Sequence, residues 1–315
     1  MTSVLVYGAY GHTGRFVVAE LRRRGFEPIL SGRDAAKLPG GRPASVDDPA
    51  SLDRALEGVA AVINCAGPFA ATAIPVVEAA ARAGVPYVDV AAEIEANLDT
   101  FALDVDTVVV PAMAFFGGLG DLLATAAMGD LTAADEVHVA YALSSWRPTA
   151  GTLSAGQVSR ERRGSKRIRF AGGQLEHRDD ALPTLEWAFP APLGPQPVFG
   201  EFSMADVVTI PRHLAVPSVT SYMTVNAAKD LFAGGERDSA ESFVVDVVVR
   251  AGGEERRIVA RGEDIYAVSA PLAVEAVDRI LSGRTKVKGV ASAGEIFDAP
   301  DFLGALSPHI SVELS

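Results

Sequence analysis

The chain has 315 residues, of which 49% are hydrophobic and 22% charged, a composition typical of a soluble globular protein of about two domains. Its 28 basic and 40 acidic residues give a net charge of −12, which argues against nonspecific binding to nucleic acid or to an anionic membrane. The one cysteine, Cys65, excludes an intramolecular disulfide and any metal site built from several cysteines. No targeting segment and no apolar run of membrane-spanning length occurs, so we expect a cytoplasmic protein.

The chain opens with an apolar stretch, Val4 to Tyr7, that runs directly into Gly8, Gly11 and Gly14 and then into a helix from about Thr13 to Arg24. Gly8 permits a tight turn, Gly11 lets backbone approach a pyrophosphate, and Gly14 lets the helix pack closely on its strand. The free N–H groups at the helix start would face the phosphates. The spacing is looser than the GxGxxG fingerprint, but the order of strand, loop and helix predicts a nucleotide phosphate site.

A second strand, EPILSGR, ends at Gly32 and Arg33, where the adenosine end of a dinucleotide would lie. An acidic residue there would bind a free ribose 2′-hydroxyl, whereas Ser31 and Arg33 offer donors and a positive charge suited to a 2′-phosphate. We therefore expect NADP(H) rather than NAD(H). The alternative interpretation of Arg33 is a solvated loop arginine. Asp34 is expected to cap the following turn.

Further strands alternate with helices over the next hundred residues. We expect a third strand around Pro43 to Val46, a fourth in VAAVINCAG, a fifth in VPYVDVAAE and a sixth in TVVVPAMAFF. Asp48 is expected to cap one helix, and another is expected over Pro75 to Ala83. This alternation, complete by about residue 128, predicts a doubly wound parallel Rossmann sheet of α/β class.

The carboxyl end of the fourth strand is the edge at which open α/β sheets bind ligands. Small residues there would let a cofactor lie against backbone, and Asn64 could donate a hydrogen bond to it. Cys65 has no evident base beside it, so we interpret it as a packed small residue rather than a nucleophile.

The pattern changes after about residue 130. EVHVAYAL, SVTSYMTV, SFVVDVVVR and RRIVARGE are strand-like, and AGGEE between the last two predicts a hairpin. One helix is expected from about Thr152 to Arg163, and the stretch from Pro183 to Pro197 is expected to be an ordered loop. These features predict a second α+β domain built on a mainly antiparallel sheet.

We expect a Rossmann domain over residues 1–130 and a substrate and dimerisation domain over 131–267. The segment 268–315, which begins with an amphipathic helix at 269–283, is expected to pack back on the first domain. The locally basic segment from Arg160 to Arg169 is interpreted as a solvated helix end and loop.

Four motifs, GAYGHTGR, SGRDAAKL, INCAGPF and GVPYVDVAAE, resemble those of the saccharopine dehydrogenase-like oxidoreductases, a family that includes the bacterial trans-acting enoyl reductases. The resemblance covers the first 130 residues well. It implies NADP(H) as cofactor and a mainly antiparallel second domain that is often used for dimerisation, so a homodimer through that sheet is expected. The chain differs from saccharopine dehydrogenase itself in length and lacks a recognisable set of arginines for two amino-acid carboxylates.

The motifs and the resemblance together predict one cofactor site. Its expected residues are Gly8, Tyr10, Gly11, His12, Thr13, Gly14, Ser31, Gly32, Arg33, Asn64, Ala66, Gly67, Pro68 and Phe69.

The catalytic residue is harder to predict, because hydride transfer needs little beyond orientation, exclusion of water and a proton donor. No tyrosine has a lysine four positions later, which excludes the short-chain dehydrogenase pattern. Three candidates remain: Tyr87, Glu93 and His213. Glu93 would either hydrogen-bond substrate or cap the following helix. No metal-ligand spacing occurs, so no metal site is expected, whereas the sequence does not exclude a flavin.

The leading hypothesis is an NADPH-dependent reductase of a small, partly apolar substrate with a C=C, C=O or C=N bond, bound between the two domains. The missing catalytic signature keeps open a non-catalytic protein that senses NADP(H) and controls a partner. A purely structural domain with a vestigial loop is a third alternative, and fold alone does not decide among them.

Overall fold

A computed structural model describes residues 1–233 and 241–314 of the chain. These residues form two sheets with helices on and between them. Within the described residues, no helix combines the length and apolar character needed to cross a membrane.

The first sheet contains six strands in the described chain, all parallel, in the order β3-β2-β1-β4-β5-β6. The strands are β1 (Ser3–Tyr7), β2 (Glu27–Gly32), β3 (Arg42–Pro43), β4 (Ala61–Asn64), β5 (Tyr87–Asp89) and β6 (Val109–Val110). The strand order reverses between β1 and β4, the point at which ligands bind in doubly wound sheets. The predicted fold class of this half is confirmed, although β3 and β6 are shorter than expected.

The helices of this half are α1 (His12–Arg23), α2 (Pro49–Leu56), α3 (Phe69–Ala83), α4 (Ile94–Phe101) and α5 (Gly120–Met128). Asp48 caps α2 through a hydrogen bond from the Ser51 N–H, and Asp34 caps a short 3-10 turn by accepting from the Ala36 N–H, both as predicted. The helix predicted from Pro75 begins six residues earlier, at Phe69, and contains Pro75 in its interior.

Side chains on β1 alternate between the two faces of the sheet, as the pleat requires. Val4 and Val6 pack in the same apolar cluster as the buried faces of α1 and α5, whereas Leu5 and Tyr7 pack with those of α2 and α3. The sheet is therefore covered on both faces, which explains why its strands are continuously apolar.

The elements of the second half, in chain order, are β7 (Glu136–Leu143), α6 (Ala150–Arg162), β8 (Arg167–Ala171), β9 (Gln174–Arg178), β10 (Thr184–Ala188), β11 (Pro195–Phe199), α7 (Asp206–Thr209), β12 (Val219–Thr224), α8 (Val225–Ala233), β13 (Ser242–Ala251), β14 (Glu254–Glu263), α9 (Ser269–Leu281), α10 (Ala293–Ile296), α11 (Ala299–Ala305) and β15 (Ile310–Leu314). In the described residues the main path of the second sheet is β10-β11-β12-β7-β13-β14-β15, and the hairpin of β8 and β9 joins it at β12.

Two features of this sheet differ from the sequence-based expectation. The pairing of β12 with β7 is parallel, so the sheet is mixed. The stretch from Pro183 to Pro197 was expected to be a loop, but it contains β10 and most of β11. The prolines are tolerated because β11 pairs with β12 only through Val198 and Phe199, so Pro195 and Pro197 interrupt no ladder on that side.

The last part of the chain contacts both halves. Helix α9 packs on α1, where Arg24 bridges Glu20 and Glu275, while β15 adds to the second sheet by pairing with β14. The division at residues 130 and 267 stays a prediction, as does a homodimer through the second sheet, whose path in the described chain ends at β10 and β15.

Tyr141 on β7 and Asp206 on α7 form a fully buried pair, in which the tyrosine hydroxyl donates to Oδ1 at 2.8 Å. Burial raises the pKa of Asp206 to about 7, and burial together with the Asp206 charge raises the pKa of Tyr141. Gly120 is needed beside the pair, because a Cβ there would lie 2.0 Å from Asp206 Oδ1.

We predict that Gly14→Ala destabilises the fold. The added Cβ would lie 2.2 Å from the Gly8 carbonyl oxygen, so α1 would have to move off β1, at a cost of about 1–3 kcal/mol. Gly304→Ala in α11 is the matched control, because its Cβ would meet nothing within 4 Å and alanine favours helix by roughly 1 kcal/mol. Urea unfolding of both variants is the measurement, and equal stabilities would contradict the prediction.

We also predict that Asp206→Asn changes how stability depends on pH. The pKa of folded Asp206 lies above the value of about 3.9 for an unfolded aspartate, so the wild-type protein loses stability as pH rises from about 4 to about 7. Asparagine keeps an acceptor for Tyr141 but does not ionise. The melting temperature of Asp206→Asn relative to wild type should therefore be higher at pH 8 than at pH 5. The exposed Asp53→Asn is the control, and a difference independent of pH would refute the assignment.

Candidate functional site

A cleft of about 1370 Å³ lies along the carboxyl edge of the first sheet and continues beneath elements of the second half. The first half contributes the loops after all six of its strands, β1 to β6. The second half contributes α6, the start of β8, the turn before α7 and the segment around Tyr266. The predicted cofactor residues in its lining are Gly8, Tyr10, Gly11, His12, Thr13, Gly32, Arg33, Ala66, Gly67, Pro68 and Phe69.

The loop after β1 brings the start of α1 to the floor of this cleft. Gly8 has φ +84°, and a Cβ on it would lie 2.9 Å from the backbone of Ala66, so the loops after β1 and β4 touch through their main chains. The N-cap, Gly11, provides no side-chain hydrogen bond, and the first turn of α1 holds no acidic residue. The N–H groups and positive dipole of this helix end are thus available to an anion. Gly14 lies behind the loop and outside the cleft.

The loop after β2 forms one end of the cleft. The ring of Tyr10 lies against Gly32, where a Cβ would come within 2.9 Å of it, and its hydroxyl accepts a hydrogen bond from the Asp34 N–H at 3.4 Å. Arg33 is exposed and forms no ion pair with the described residues, whereas Asp34 is paired with Lys37 at 3.3 Å. The guanidinium of Arg33 is therefore available to a ligand at this end of the cleft. The carboxylate of Asp47, after β3, also lines the cleft.

Ser31 does not contribute to the cleft as predicted. Its side chain is fully buried, and its hydroxyl donates to the Arg42 carbonyl on β3 at 2.7 Å. It holds β3 beside β2 and leaves Arg33 as the positively charged donor of this loop.

Asn64 and Tyr87 also lie outside the cleft, in a buried network beneath it. The Asn64 side-chain oxygen accepts from the Ala66 N–H at 3.0 Å, its amide donates to the Tyr87 hydroxyl at 3.1 Å, and Tyr87 donates to Asp89 Oδ2 at 2.8 Å. Asp89 Oδ1 accepts from the Ala91 and Ala112 N–H groups, both at 2.9 Å. This network fixes the loops that follow β4, β5 and β6. Tyr87 and Asn64 thus support the site from behind and cannot reach a substrate.

Burial dominates the electrostatics of this network. It raises the pKa of Asp89 to about 6 despite the three hydrogen bonds that lower it, and it raises the pKa of Tyr87, with a further contribution from the Asp89 charge. Burial also raises the pKa of Cys65, which lines the cleft above the network. A thiol in these surroundings stays protonated at neutral pH, in keeping with the interpretation of Cys65 as a packing residue.

Glu93 is the predicted catalytic candidate that the structure does place in the cleft. Its side chain is 6% exposed, and Oε1 accepts a hydrogen bond from the Phe69 N–H at 2.9 Å. The carboxyl therefore caps the start of α3, the preceding helix, and not α4, which follows it. Burial is the largest influence on it and raises its pKa, with the nearby Asp89 adding to the effect.

His213, the third candidate, lies outside the cleft. Its Nε2 contacts Oδ1 of the buried Asp121 at 2.7 Å, and its ring lies beside Gly294 of α10. Burial lowers the pKa of His213, but Asp121 outweighs this effect and the net shift is upward. The structure assigns His213 to the packing of α5 against α10, so it is not retained as a proton donor.

Part of the cleft lining is apolar. It consists of Phe115, Phe116, Trp146, Met204 and Ile265, which come from β6 onward and from the second half of the chain. The rings of Phe116 and Trp146 lie 5.1 Å apart between centroids. The hydroxyl of Ser269, which also lines this region, accepts from the Phe115 N–H and donates to the Ile265 carbonyl. Its hydrogen bonds are therefore satisfied within the chain.

Sequence reasoning missed Thr149, Thr152 and Tyr266. The Tyr266 hydroxyl lies 2.9 Å from Thr152 Oγ1 and accepts from the Thr149 N–H at 3.3 Å, while its ring meets the His12 ring edge-on at 5.1 Å. Tyr266 thus joins the start of α6 to the start of α1. The signal available in the sequence was Thr149 as a helix cap, but the prediction began the helix three residues later, at Thr152.

Comparison with known proteins identifies the first part of the chain. Residues 4–109 match the family model of the saccharopine dehydrogenase NADP-binding domain. A saccharopine dehydrogenase-like oxidoreductase of Arabidopsis thaliana is 31% identical over a region that covers 36% of this chain and 31% of the relative. A human saccharopine dehydrogenase-like oxidoreductase is 29% identical, over 29% of this chain and 27% of the relative. The matched region is thus about a third of the length of these curated relatives. The Arabidopsis relative is named mitochondrial, and the cytoplasmic location of this chain stays a prediction.

The fold extends the likeness beyond the matched residues. Apo saccharopine dehydrogenase (L-Glu forming) from Saccharomyces cerevisiae superimposes with a TM-score of 0.69 over 100% of both chains, at 10% sequence identity. The resemblance predicted from the four motifs is confirmed, as is NADP(H) as the cofactor of the first half. Residues 4–109 thus match the saccharopine dehydrogenase NADP-binding domain, and the described chain as a whole has the saccharopine dehydrogenase fold.

Proposed function

We propose that the protein is an NADPH-dependent reductase that transfers a hydride to a small, partly apolar substrate with a C=C, C=O or C=N bond. The observation that carries this proposal is that one cleft is lined by an uncapped helix start, a buried carboxyl and several apolar side chains. The cofactor end and the chemical end are therefore continuous.

The residues of the cleft fit the cofactor that the domain family binds. The start of α1 would hold the pyrophosphate, Arg33 the 2′-phosphate, and the Ala66–Gly67–Pro68 loop the nicotinamide half of the molecule. When bound, NADPH supplies the hydride. The protein then has to orient the acceptor, exclude water and provide a proton.

Glu93 is proposed to supply that proton. Because burial raises its pKa, a larger share of this carboxyl is protonated near neutral pH than of an exposed glutamate. Its hydrogen bond from the Phe69 N–H fixes the position of Oε1 at the edge of the cleft. A buried carboxyl of raised pKa in a cleft is a typical general acid.

The apolar part of the lining indicates the character of the reacting centre. Phe115, Phe116, Trp146 and Met204 are buried apolar residues of the lining, and Ser203 exchanges its hydrogen bonds with the backbone of Ile168. We therefore place the reacting centre of a neutral, partly apolar acceptor beside these residues. The basic residues of the lining come from α6 and the hairpin that follows it: Arg160, Arg163, Lys166, Arg167 and Arg178.

We predict that Arg33→Ala removes most of the preference for NADPH. Wild-type protein should bind NADPH at least about tenfold more tightly than NADH, since a charge-assisted pair with the 2′-phosphate contributes roughly 1.5–3 kcal/mol. The variant should bind both cofactors with similar affinity. Arg54→Ala on α2, another exposed arginine, is the control. Titration of cofactor fluorescence measures the affinity of each of the three proteins for both cofactors, and an unchanged preference in Arg33→Ala would refute the role of Arg33.

We predict that Glu93→Gln lowers turnover by about a hundredfold or more, the usual range for removal of a general acid, and leaves NADPH affinity within about threefold of wild type. Glutamine keeps an oxygen for the Phe69 N–H but has no acidic proton. In the wild type the rate should fall as pH rises through the pKa of Glu93. The pH–rate profile of the variant should lack this decrease. Glu78→Gln, exposed on the same helix as Phe69, is the control.

A panel of enals, ketones and imines, followed by loss of absorbance at 340 nm, tests the activity itself. Consumption of NADPH with at least one class of acceptor supports the reductase. Tight NADPH binding without consumption across the panel would contradict it and would favour the alternative, a non-catalytic NADP(H) sensor.

A further inference from the structure

Helix α6 lies across the cleft and belongs to the second half of the chain, outside the residues matched by the NADP-binding domain family. Its Ala155 side chain stands directly over the cofactor loop, since a Cβ built on Gly67 would lie 3.9 Å from the Cβ of Ala155. Ala150, Gly151 and Gly156 of the same helix also line the cleft. Small side chains allow α6 to approach the loop this closely.

Helix α6 buries almost no apolar surface. All thirteen residues of α6 are described, and Ser159 is the one that is buried, whereas Leu153 is 52% exposed. Helices in folded proteins are usually held by an apolar face packed on a core. Because α6 lacks such a face, its position must depend on the contacts at its two ends.

The N-terminal end is anchored by Tyr266. The tyrosine hydroxyl contacts Thr152 Oγ1 and the Thr149 N–H, and its ring rests against His12 at the start of α1. This contact joins α6 to the same loop that would hold the cofactor phosphates.

The C-terminal end is latched to α4. The Ser159 hydroxyl donates to Glu95, Arg163 lies 3.4 Å from Glu95 Oε1, and Arg162 pairs with Asp99 at 2.8 Å. The Arg162 pair is partly exposed, and such pairs are individually weak. An element held mainly by polar contacts at its ends opens at low cost compared with one buried in a core.

We propose that α6 is a strap that covers the bound cofactor and has to lift for NADP(H) to enter and leave. The proposal rests on NADP(H) binding in this cleft, as the proposed function requires. A dinucleotide bound along the start of α1 and the loop after β4 would lie beside α6, so closure of the strap would shield the cofactor from water. Tyr266 remains the fixed end, and the contacts of Glu95 with Ser159 and Arg163 form the latch that breaks.

A reversible cross-link tests whether the strap has to move. In a Cys65→Ala background, Gly67→Cys with Ala155→Cys places two Cβ atoms about 3.9 Å apart, within the range of 3.5–4.5 Å found in disulfides. The oxidised protein should take up and release NADPH at least tenfold more slowly than the reduced protein, and dithiothreitol should restore the rates. The two single-cysteine variants and the reduced double variant are the controls. Equal exchange rates in the oxidised and reduced forms would overturn the proposal.

A latch variant tests the same idea without altering the cofactor loop. Glu95→Gln removes the charge that faces Arg163, so NADPH dissociation measured by stopped-flow fluorescence should become at least threefold faster. In wild type, NADPH should also slow tryptic cleavage after Arg160, Arg162 and Arg163 at least fivefold, and Glu95→Gln should reduce this protection. Asp53→Asn, which breaks the exposed pair with Arg82 on α2 and α3, is the matched control and should change neither measurement.

The outcomes separate the two proposals. NADPH that binds wild-type protein but leaves tryptic cleavage unchanged, or dissociation from Glu95→Gln at the wild-type rate, overturns the strap alone. A wild-type protein that binds no NADPH in the same fluorescence titration overturns the proposed function and the strap together.

Discussion

The buried carboxylate of Asp89 is the contact on which the geometry of the cleft depends. It joins the loops after β5 and β6 by accepting from the Ala91 and Ala112 N–H groups, and through Tyr87 and Asn64 it reaches the backbone of Ala66 after β4. A carboxylate is buried at this depth only when hydrogen bonds compensate its lost hydration. Three neighbouring strand ends are therefore fixed relative to one another from below, and the surface above them stays free for ligands.

Main chain and side chains contribute different parts of the cleft that rests on this network. The Gly8 and Ala66 backbones touch, and the start of α1 faces the cleft without a side-chain cap, so the phosphate end is made almost entirely of main chain. In the function we propose, specificity and chemistry come from single side chains, Arg33 and Glu93. Arg33 is exposed, as a side chain that binds a ligand phosphate would have to be, whereas Glu93 is buried, and burial raises its pKa.

The sequence was sufficient for the parallel sheet, for the phosphate loop and for NADP(H), because strand patterning and glycine spacing are local signals. It was insufficient where a residue's role depends on where its side chain points. Ser31 and Asn64 occupy the expected positions along the chain, but their polar atoms turn inward and bind neighbouring loops. Tyr266 lies more than 250 residues from His12 in the chain, and no local pattern connects the two rings. The strands β10 and β11 were missed because proline normally marks a loop, and the sheet order places these prolines where no pairing with β12 is lost.

The C-terminal segment adds a constraint on how the molecule is assembled during synthesis. Helix α9 covers α1 through Arg24, Glu275 and Arg279, and fully buried apolar residues of α9 share a cluster with Val17 and Leu21 of α1. A ribosome has made the whole family-matched region, and most of the second sheet, before residues 269–281 emerge. Until then one face of the first sheet has only part of its cover. The segment delimited by sequence comparison therefore does not cover its own sheet completely, and the end of the chain completes that cover.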